Sequence, residues 1–261
     1  MEQRIELDGT YMNVIKFGNG SKNLAVIAGV SLTGLEGMGE ALENALNVFA
    51  ENFTVYVFDR KKVLPKGYTI EDMADDIYKC LKIMGVEKTS VYGASQGGMI
   101  GQVMAVKYSE MVENLAVCST ICRITPELEK VIDLWIDASK AHDIERVNTL
   151  FLEYVYSQSF IDSIKDSIPE LIKNGSDTDC DRFVTVLEAI KTFDISESLD
   201  KVTCPTLVLA DVNDKVFASE CANEIARKIK GSTIHLYDKY SHAVYDEAPD
   251  LKERVVEFIL S

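Results

Sequence analysis

Histidine is scarce in this chain. His142, His235 and His242 are the only three in 261 residues, so any imidazole base must be one of them. No apolar run approaches the roughly 20 residues a membrane-spanning helix needs. The opening Met1-Glu2-Gln3-Arg4-Ile5-Glu6 lacks the apolar core of a secretory signal, so a cytoplasmic location is expected. Basic residues are the minority, 27 against 42 acidic ones, for a net charge of −15 at pH 7. Such a field repels nucleic acid and anionic lipid, so neither is expected as a partner, and a small-molecule substrate is. The six cysteines (Cys80, Cys118, Cys122, Cys180, Cys204, Cys221) are scattered. None forms Cys-x-x-Cys, and no histidine neighbours the one close pair, so they read as small buried hydrophobes and not as disulfides or metal ligands. There is no internal repeat, no low-complexity segment and no heptad pattern, and the oligomeric state is not encoded in any readable motif.

What is present is a strong alternation of strand and helix signals. Residues 2–7 and 11–17 alternate in polarity across Asp8-Gly9, a hairpin signature. Asn23–Ala28 is a continuous apolar run, suited to a strand covered on both faces. Residues 38–50 carry helical periodicity, Phe53–Phe58 is a strand ending at Asp59-Arg60, and Thr69 caps a helix to about Met84. A strand over 89–94, a helix to about 109 and a strand at Asn114–Cys118 follow. Residues 125–195 read as helices only, with Trp135, Phe151, Tyr154, Tyr156 and Phe160 at positions that pack those helices together. Thr206–Ala210, 218–229, 232–237 and 248–260 then restore strand, helix, strand, helix. The expected architecture is α/β: a mostly parallel eight-stranded sheet with helices on both faces. Residues 1–121 and 200–261 would form the core, and 122–199 an inserted helical cap.

Between the strand at 89–94 and its helix stands Gly93-Ala94-Ser95-Gln96-Gly97-Gly98. Gly-x-Ser-x-Gly at a strand-to-helix turn is the arrangement that exposes a serine hydroxyl above a sheet, with the Gln96 amide opening the helix beside it. The glycines let strand and helix approach closely. A serine hydroxyl is protonated at pH 7 and needs a base. His142 lies among charged residues and reads as surface. His235 lies mid-strand, facing a side of the sheet. His242 lies in the loop after the last strand, at the edge where open parallel sheets bind ligands. Asp211 and Asp214, both past the strand at 206–210, compete for the acid that would orient it.

Three segments carry a resemblance: Gly93–Gly98, Pro205–Val216 and Ser241-His242-Ala243 with Pro249 downstream. Across essentially its whole length the chain resembles the α/β-hydrolase fold superfamily, in particular its small helical-cap esterases and enol-lactonases. The resemblance implies a serine hydrolase with Ser95, His242 and Asp214 as nucleophile, base and acid, Asp214 being the second aspartate of its loop. It implies an oxyanion hole from the amides of Val30 and Gln96. No metal or organic cofactor would be needed. Ser31, Leu32, Val216 and Phe217 would be pocket walls by position. Carboxylic ester, lactone or thioester cleavage is the first expectation. Acyl transfer from the same acyl-enzyme, or ligand sensing without catalysis, are the alternatives. Two departures stand out. The superfamily usually has His-Gly before the oxyanion residue, and this chain has Ala28-Gly29. Where relatives carry a Gly-rich turn after Asp59, this chain has Arg60-Lys61-Lys62, read as solvated charge.

Overall fold

The structure is a computed structural model describing residues 1–261. Two strands, β1 (Glu2–Leu7) and β2 (Thr10–Phe17), pair antiparallel with Leu7 opposite Thr10. Asp8 and Gly9 turn the chain with φ of +49° and +80°, the left-handed pair that a two-residue hairpin loop requires. The sheet continues through β3 (Lys22–Ile27), β4 (Phe53–Phe58), β5 (Thr89–Ala94), β6 (Val112–Cys118), β7 (Thr206–Asp211) and β8 (Thr233–Tyr237). Its spatial order is β1-β2-β4-β3-β5-β6-β7-β8, parallel from β4 to β8 and antiparallel at β1-β2 and β2-β4.

The apolar run in β3 has the expected cause. Ala25 and Ile27 enter one core while Leu24 and Val26 enter the other, so successive side chains are buried on opposite faces. The first core packs α2 (Ile70–Ile83), α3 (Gln96–Lys107) and α9 (Ser219–Lys228) on the sheet; the second packs α11 (Leu251–Leu260) with Leu46 and Phe49. α2 begins with a capping box in which Thr69 Oγ1 accepts from the Asp72 amide and Asp72 accepts from the Thr69 amide, satisfying two otherwise orphaned donors. α3 is buried from Gln96 to Ala105, which its position across the middle of the sheet demands.

Boundaries shift in two places. The helix expected over 38–50 is α1 (Gly39–Ala45) followed by a single 3-10 turn at 47–49. The last helix starts at Leu251, because Pro249 forces Ala248 into extended backbone; a separate turn, α10 (Val244–Glu247), precedes it.

Between β6 and β7 the chain forms only helices: α4 (Pro126–Lys140), α5 (Ile144–Val155), α6 (Gln158–Ser163), α7 (Ile168–Leu171) and α8 (Asp177–Lys191). An isolated antiparallel bridge, Arg123 to Asp194, ties the segment's exit to its return. Two backbone bonds reinforce it, Ile124 N to Phe193 O at 3.0 Å and Ile195 N to Cys122 O at 2.9 Å. Lys191 on α8 pairs with Glu129 and Asp133 on α4 at 2.8 and 2.7 Å. No helix is long and apolar enough to cross a membrane. All six cysteines are free, four of them buried.

Candidate active site

β5 and α3 meet at Ser95, whose backbone is held at φ +54°, ψ −122°. A non-glycine residue in that region is strained, and the surroundings explain why the strain persists. A Cβ at Gly93 would sit 2.2 Å from the Gly97 carbonyl oxygen, and one at Gly97 would sit 2.0 Å from that of Ile27. Strand, turn and helix are packed backbone to backbone, so only this turn fits. The Ser95 amide donates to Cys118 O at 2.9 Å, and Thr120 Oγ1 donates to Ser95 O at 2.7 Å, fixing the turn to the end of β6.

Ser95 Oγ lies 2.9 Å from His242 Nε2, and His242 Nδ1 lies 2.8 Å from Asp214 Oδ2. All three side chains are buried. The carboxylate places the imidazole proton on Nδ1 and leaves Nε2 to accept from the hydroxyl. Asp214 Oδ1 accepts from the amides of Val216 and Phe217, both at 2.8 Å, which fixes the carboxylate in that orientation.

The rival acid, Asp211, is fully buried and turned elsewhere. Its Oδ1 accepts from Asn213 N at 2.7 Å; its Oδ2 accepts from the amides of Lys239 and Tyr240 at 3.1 and 2.8 Å. It therefore fastens the Asp214 loop to the His242 loop. The helical insertion holds the His242 loop from the other side. Ala243 N donates to Val155 O at 2.8 Å, and both the amide and the hydroxyl of Ser157 donate to Glu247. Of the other histidines, His142 is exposed beside Asp181, and His235 stacks edge-on against Tyr237, where burial draws its pKa below the usual value.

The amides of Val30 and Gln96 donate to no protein acceptor. Val30, Val216 and Phe217 line a pocket of about 10 Å³ that contains Ser95 and His242, closed over by Trp135 and Phe151. That is room for about one water. Ser31 and Leu32 line a neighbouring cavity of about 590 Å³, together with Tyr156 and Phe160. The two spaces share Val30, Phe151, Val155 and Tyr245 as walls. Helical spacing identified Trp135, Phe151, Tyr156 and Phe160 as packing residues; they also wall these spaces. No group of three histidine, cysteine or carboxylate side chains is arranged to hold a metal ion.

The reading of Arg60-Lys61-Lys62 as solvated needs correcting for its first two members. Arg60 and Lys61 are 4% and 8% exposed. Lys61 Nζ pairs with the buried Asp76 at 3.0 Å, and the Tyr68 hydroxyl donates to the same carboxylate at 2.6 Å. Arg60 turns toward the elbow. Its Nη1 donates to Ala28 O at 2.8 Å, and its Nε and Nη2 donate to Gln96 Oε1 at 3.1 and 2.6 Å. Gln96 Nε2 donates in turn to Val186 O on α8 at 2.6 Å. Only Lys62 stays largely in solvent, paired with Glu36. Nothing in the local sequence signals the Arg60 contacts, because both partners are more than 30 residues away.

A sequence profile described as "alpha/beta hydrolase fold" matches residues 32–249. The chain belongs to the α/β-hydrolase fold family. With membership goes the class of chemistry, hydrolysis of ester-like bonds. The chain is 25% identical over 265 residues to RutD of Caulobacter sp. (strain K31), which bears the provisional name carbamate hydrolase; the match covers 98% of this chain and 97% of that protein. Among solved structures it superposes on MGS-M2, an α/β hydrolase from a deep-sea metagenome library, with a TM-score of 0.90 at 18% identity, covering 99% and 98% of the two chains. It superposes on the enol-lactonase of Burkholderia xenovorans LB400 with a TM-score of 0.86 at 20% identity, covering 99% and 100%. At these identities the superpositions speak for the fold.

Proposed function

We propose that this member of the family is a serine hydrolase that cleaves a carboxylic ester, lactone or thioester through an acyl-enzyme on Ser95. The observation that carries the reading is the unbroken chain from Ser95 Oγ to His242 to Asp214, with heavy-atom separations of 2.9 and 2.8 Å. His242 Nε2 removes the hydroxyl proton as Oγ attacks the carbonyl carbon. Asp214 stabilises the imidazolium so formed. The tetrahedral oxyanion is received by the amides of Val30 and Gln96. His242 returns the proton to the leaving alkoxide or thiolate. Water, deprotonated by the same imidazole, then attacks the acyl-enzyme and releases the acid and Ser95.

The names of relatives span carbamates, enol-lactones and esters. The cavity favours substrates with a sizeable apolar part. Its volume of about 590 Å³ falls within the 300–1,000 Å³ typical of sites for drug-sized ligands, and 19 of its 26 lining residues are hydrophobic. A small polar carbamate would leave most of that wall wet. A second reading, acyl transfer to an alcohol or amine, draws support from the closed pocket over Ser95, since excluding water lets another acceptor compete for the acyl-enzyme.

The test is turnover of p-nitrophenyl esters of increasing acyl length by wild type and Ser95→Ala, with methanol added to measure partitioning between hydrolysis and transfer. The expectation is turnover that is lost in Ser95→Ala, with an optimum above acetyl. Wild-type protein that neither turns over any ester nor is labelled at Ser95 by a fluorophosphonate would sink the reading and leave a non-catalytic ligand-binding role.

A further inference from the structure

Arg60 is a buried cation with no carboxylate within ion-pair distance. Its neighbour Asp59 is turned away, accepting from the Leu35 amide at 3.1 Å and lying 3.6 Å from Arg182 Nη2. Desolvation draws the Arg60 pKa down to about 10, which still leaves it protonated at neutral pH. Burying a charge in this way is costly unless hydrogen bonds offset it. Here the offset comes from two neutral oxygens, Ala28 O and Gln96 Oε1. Those oxygens belong to the two segments that present the free amides: Ala28 stands two residues before Val30, and Gln96 carries the second amide itself. A guanidinium is a rigid planar fork. Contacts from its two sides therefore fix the spacing between the end of β3 and the start of α3. Arg60 is also tied to the insertion, since its carbonyl accepts from Arg182 Nη2 at 3.2 Å and Gln96 Nε2 reaches Val186 O.

We propose that Arg60 is a positioning residue that holds the Val30 and Gln96 amides in register to receive the oxyanion and sets a fixed positive charge behind them. The inference rests on the Ser95 acyl-enzyme reading. It joins the two departures seen in the sequence: where position 28 offers no histidine side chain to brace the loop, the residue following Asp59 reaches back and braces its carbonyl. The physical advantage is preorganisation, because donors already aimed at the developing charge need not reorganise when it forms. A neutral brace would hold the loop without contributing potential, so the retained charge is the part that a packing role leaves unexplained.

The test compares Arg60→Met, Arg60→Lys and Gln96→Met with wild type, using an ester that wild type turns over. Active sites are counted by a fluorophosphonate titration run to completion, and kcat is expressed per active site. Removing one oxyanion donor outright costs about 10²–10³ in kcat, so mispositioning both is expected to cost about 10–100-fold. KM should stay within about threefold. Arg60→Lys, which keeps the charge and loses the fork, should fall between wild type and Arg60→Met. Gln96→Met, which removes the far end of the brace but keeps the amide, should lose kcat in the same direction and serves if the Arg60 variants do not fold. Wild-type kcat per titrated site in the folded variants would overturn the proposal, as would an effect confined to KM or to melting temperature. Failure of wild type to be labelled or to turn over would instead strike the acyl-enzyme reading beneath it.

Discussion

Amidating each of the two aspartates beyond β7 separates a catalytic acid from a structural one. In Asp214→Asn the oxygen can keep the bonds from the Val216 and Phe217 amides, now 2.8 Å each. The side-chain NH₂ must then face His242 Nδ1. Flipping it would set NH₂ against two amide donors, so the orientation is fixed. Nδ1 becomes an acceptor and the imidazole proton moves to Nε2, where it points at Ser95 Oγ and cannot take the hydroxyl proton. Loss of the correct tautomer in a serine triad lowers kcat by about 10⁴, or about 5.5 kcal/mol of barrier. Melting temperature should hardly move. Asp211→Asn has the opposite profile. Both of its oxygens are in use, one by Asn213 N and the other by the Lys239 and Tyr240 amides. Whichever way the amide is turned, at least one backbone N–H that now bonds to the buried carboxylate faces NH₂. These bonds are partly buried, so losing one costs about 1 kcal/mol and stability falls, while kcat per folded molecule stays within about tenfold. The assay is steady-state hydrolysis of one p-nitrophenyl ester beside thermal unfolding for both variants. Full activity in Asp214→Asn, or a 10⁴-fold kcat loss in a stable Asp211→Asn, would refute the assignment.

A further outcome follows from the packing. Gly97→Ala places a Cβ 2.0 Å from the Ile27 carbonyl oxygen, whereas Gly101→Ala, on the same helix, meets only side-chain methyls at 3.2 Å. By differential scanning fluorimetry Gly97→Ala should lose more than about 3 kcal/mol or fail to fold, and Gly101→Ala about 1 kcal/mol or less; equal losses would contradict the close backbone approach.

The parts of this protein that could be read from sequence are those whose cause is local. Asp8-Gly9 must turn with positive φ, and it does. Thr69 and Asp72 satisfy each other's amides three residues apart. Gly93, Ser95 and Gly97 carry within five residues both the clash that excludes other turns and the hydroxyl that the turn exposes. Periodicity marked Trp135 and Phe151 as buried, but burial against a neighbouring helix and burial against the pocket over Ser95 leave the same imprint on spacing. Asp211 and Asp214 are the same residue type three positions apart; the resemblance favours the second, but the contacts that separate them, His242 Nδ1 for Asp214 and the Lys239 and Tyr240 amides for Asp211, come only with the fold.

Arg60 marks the limit of such reading. A basic residue just after a strand is ordinarily solvated, and chain spacing favours that view, with Ala28 and Gln96 lying 32 and 36 positions away. The parallel order β4-β3-β5 decides otherwise. It sets the carboxyl ends of all three strands side by side, so the residues that follow each strand meet whatever their distance along the chain. The same juxtaposition gathers Val30, Ser95, Asp214 and His242, each from a different strand end. The proposed catalytic groups and their proposed brace are thus products of one topological fact. Once the strand order is known, the residue after β4 becomes the natural place to look for a group acting on the β3 and β5 loops.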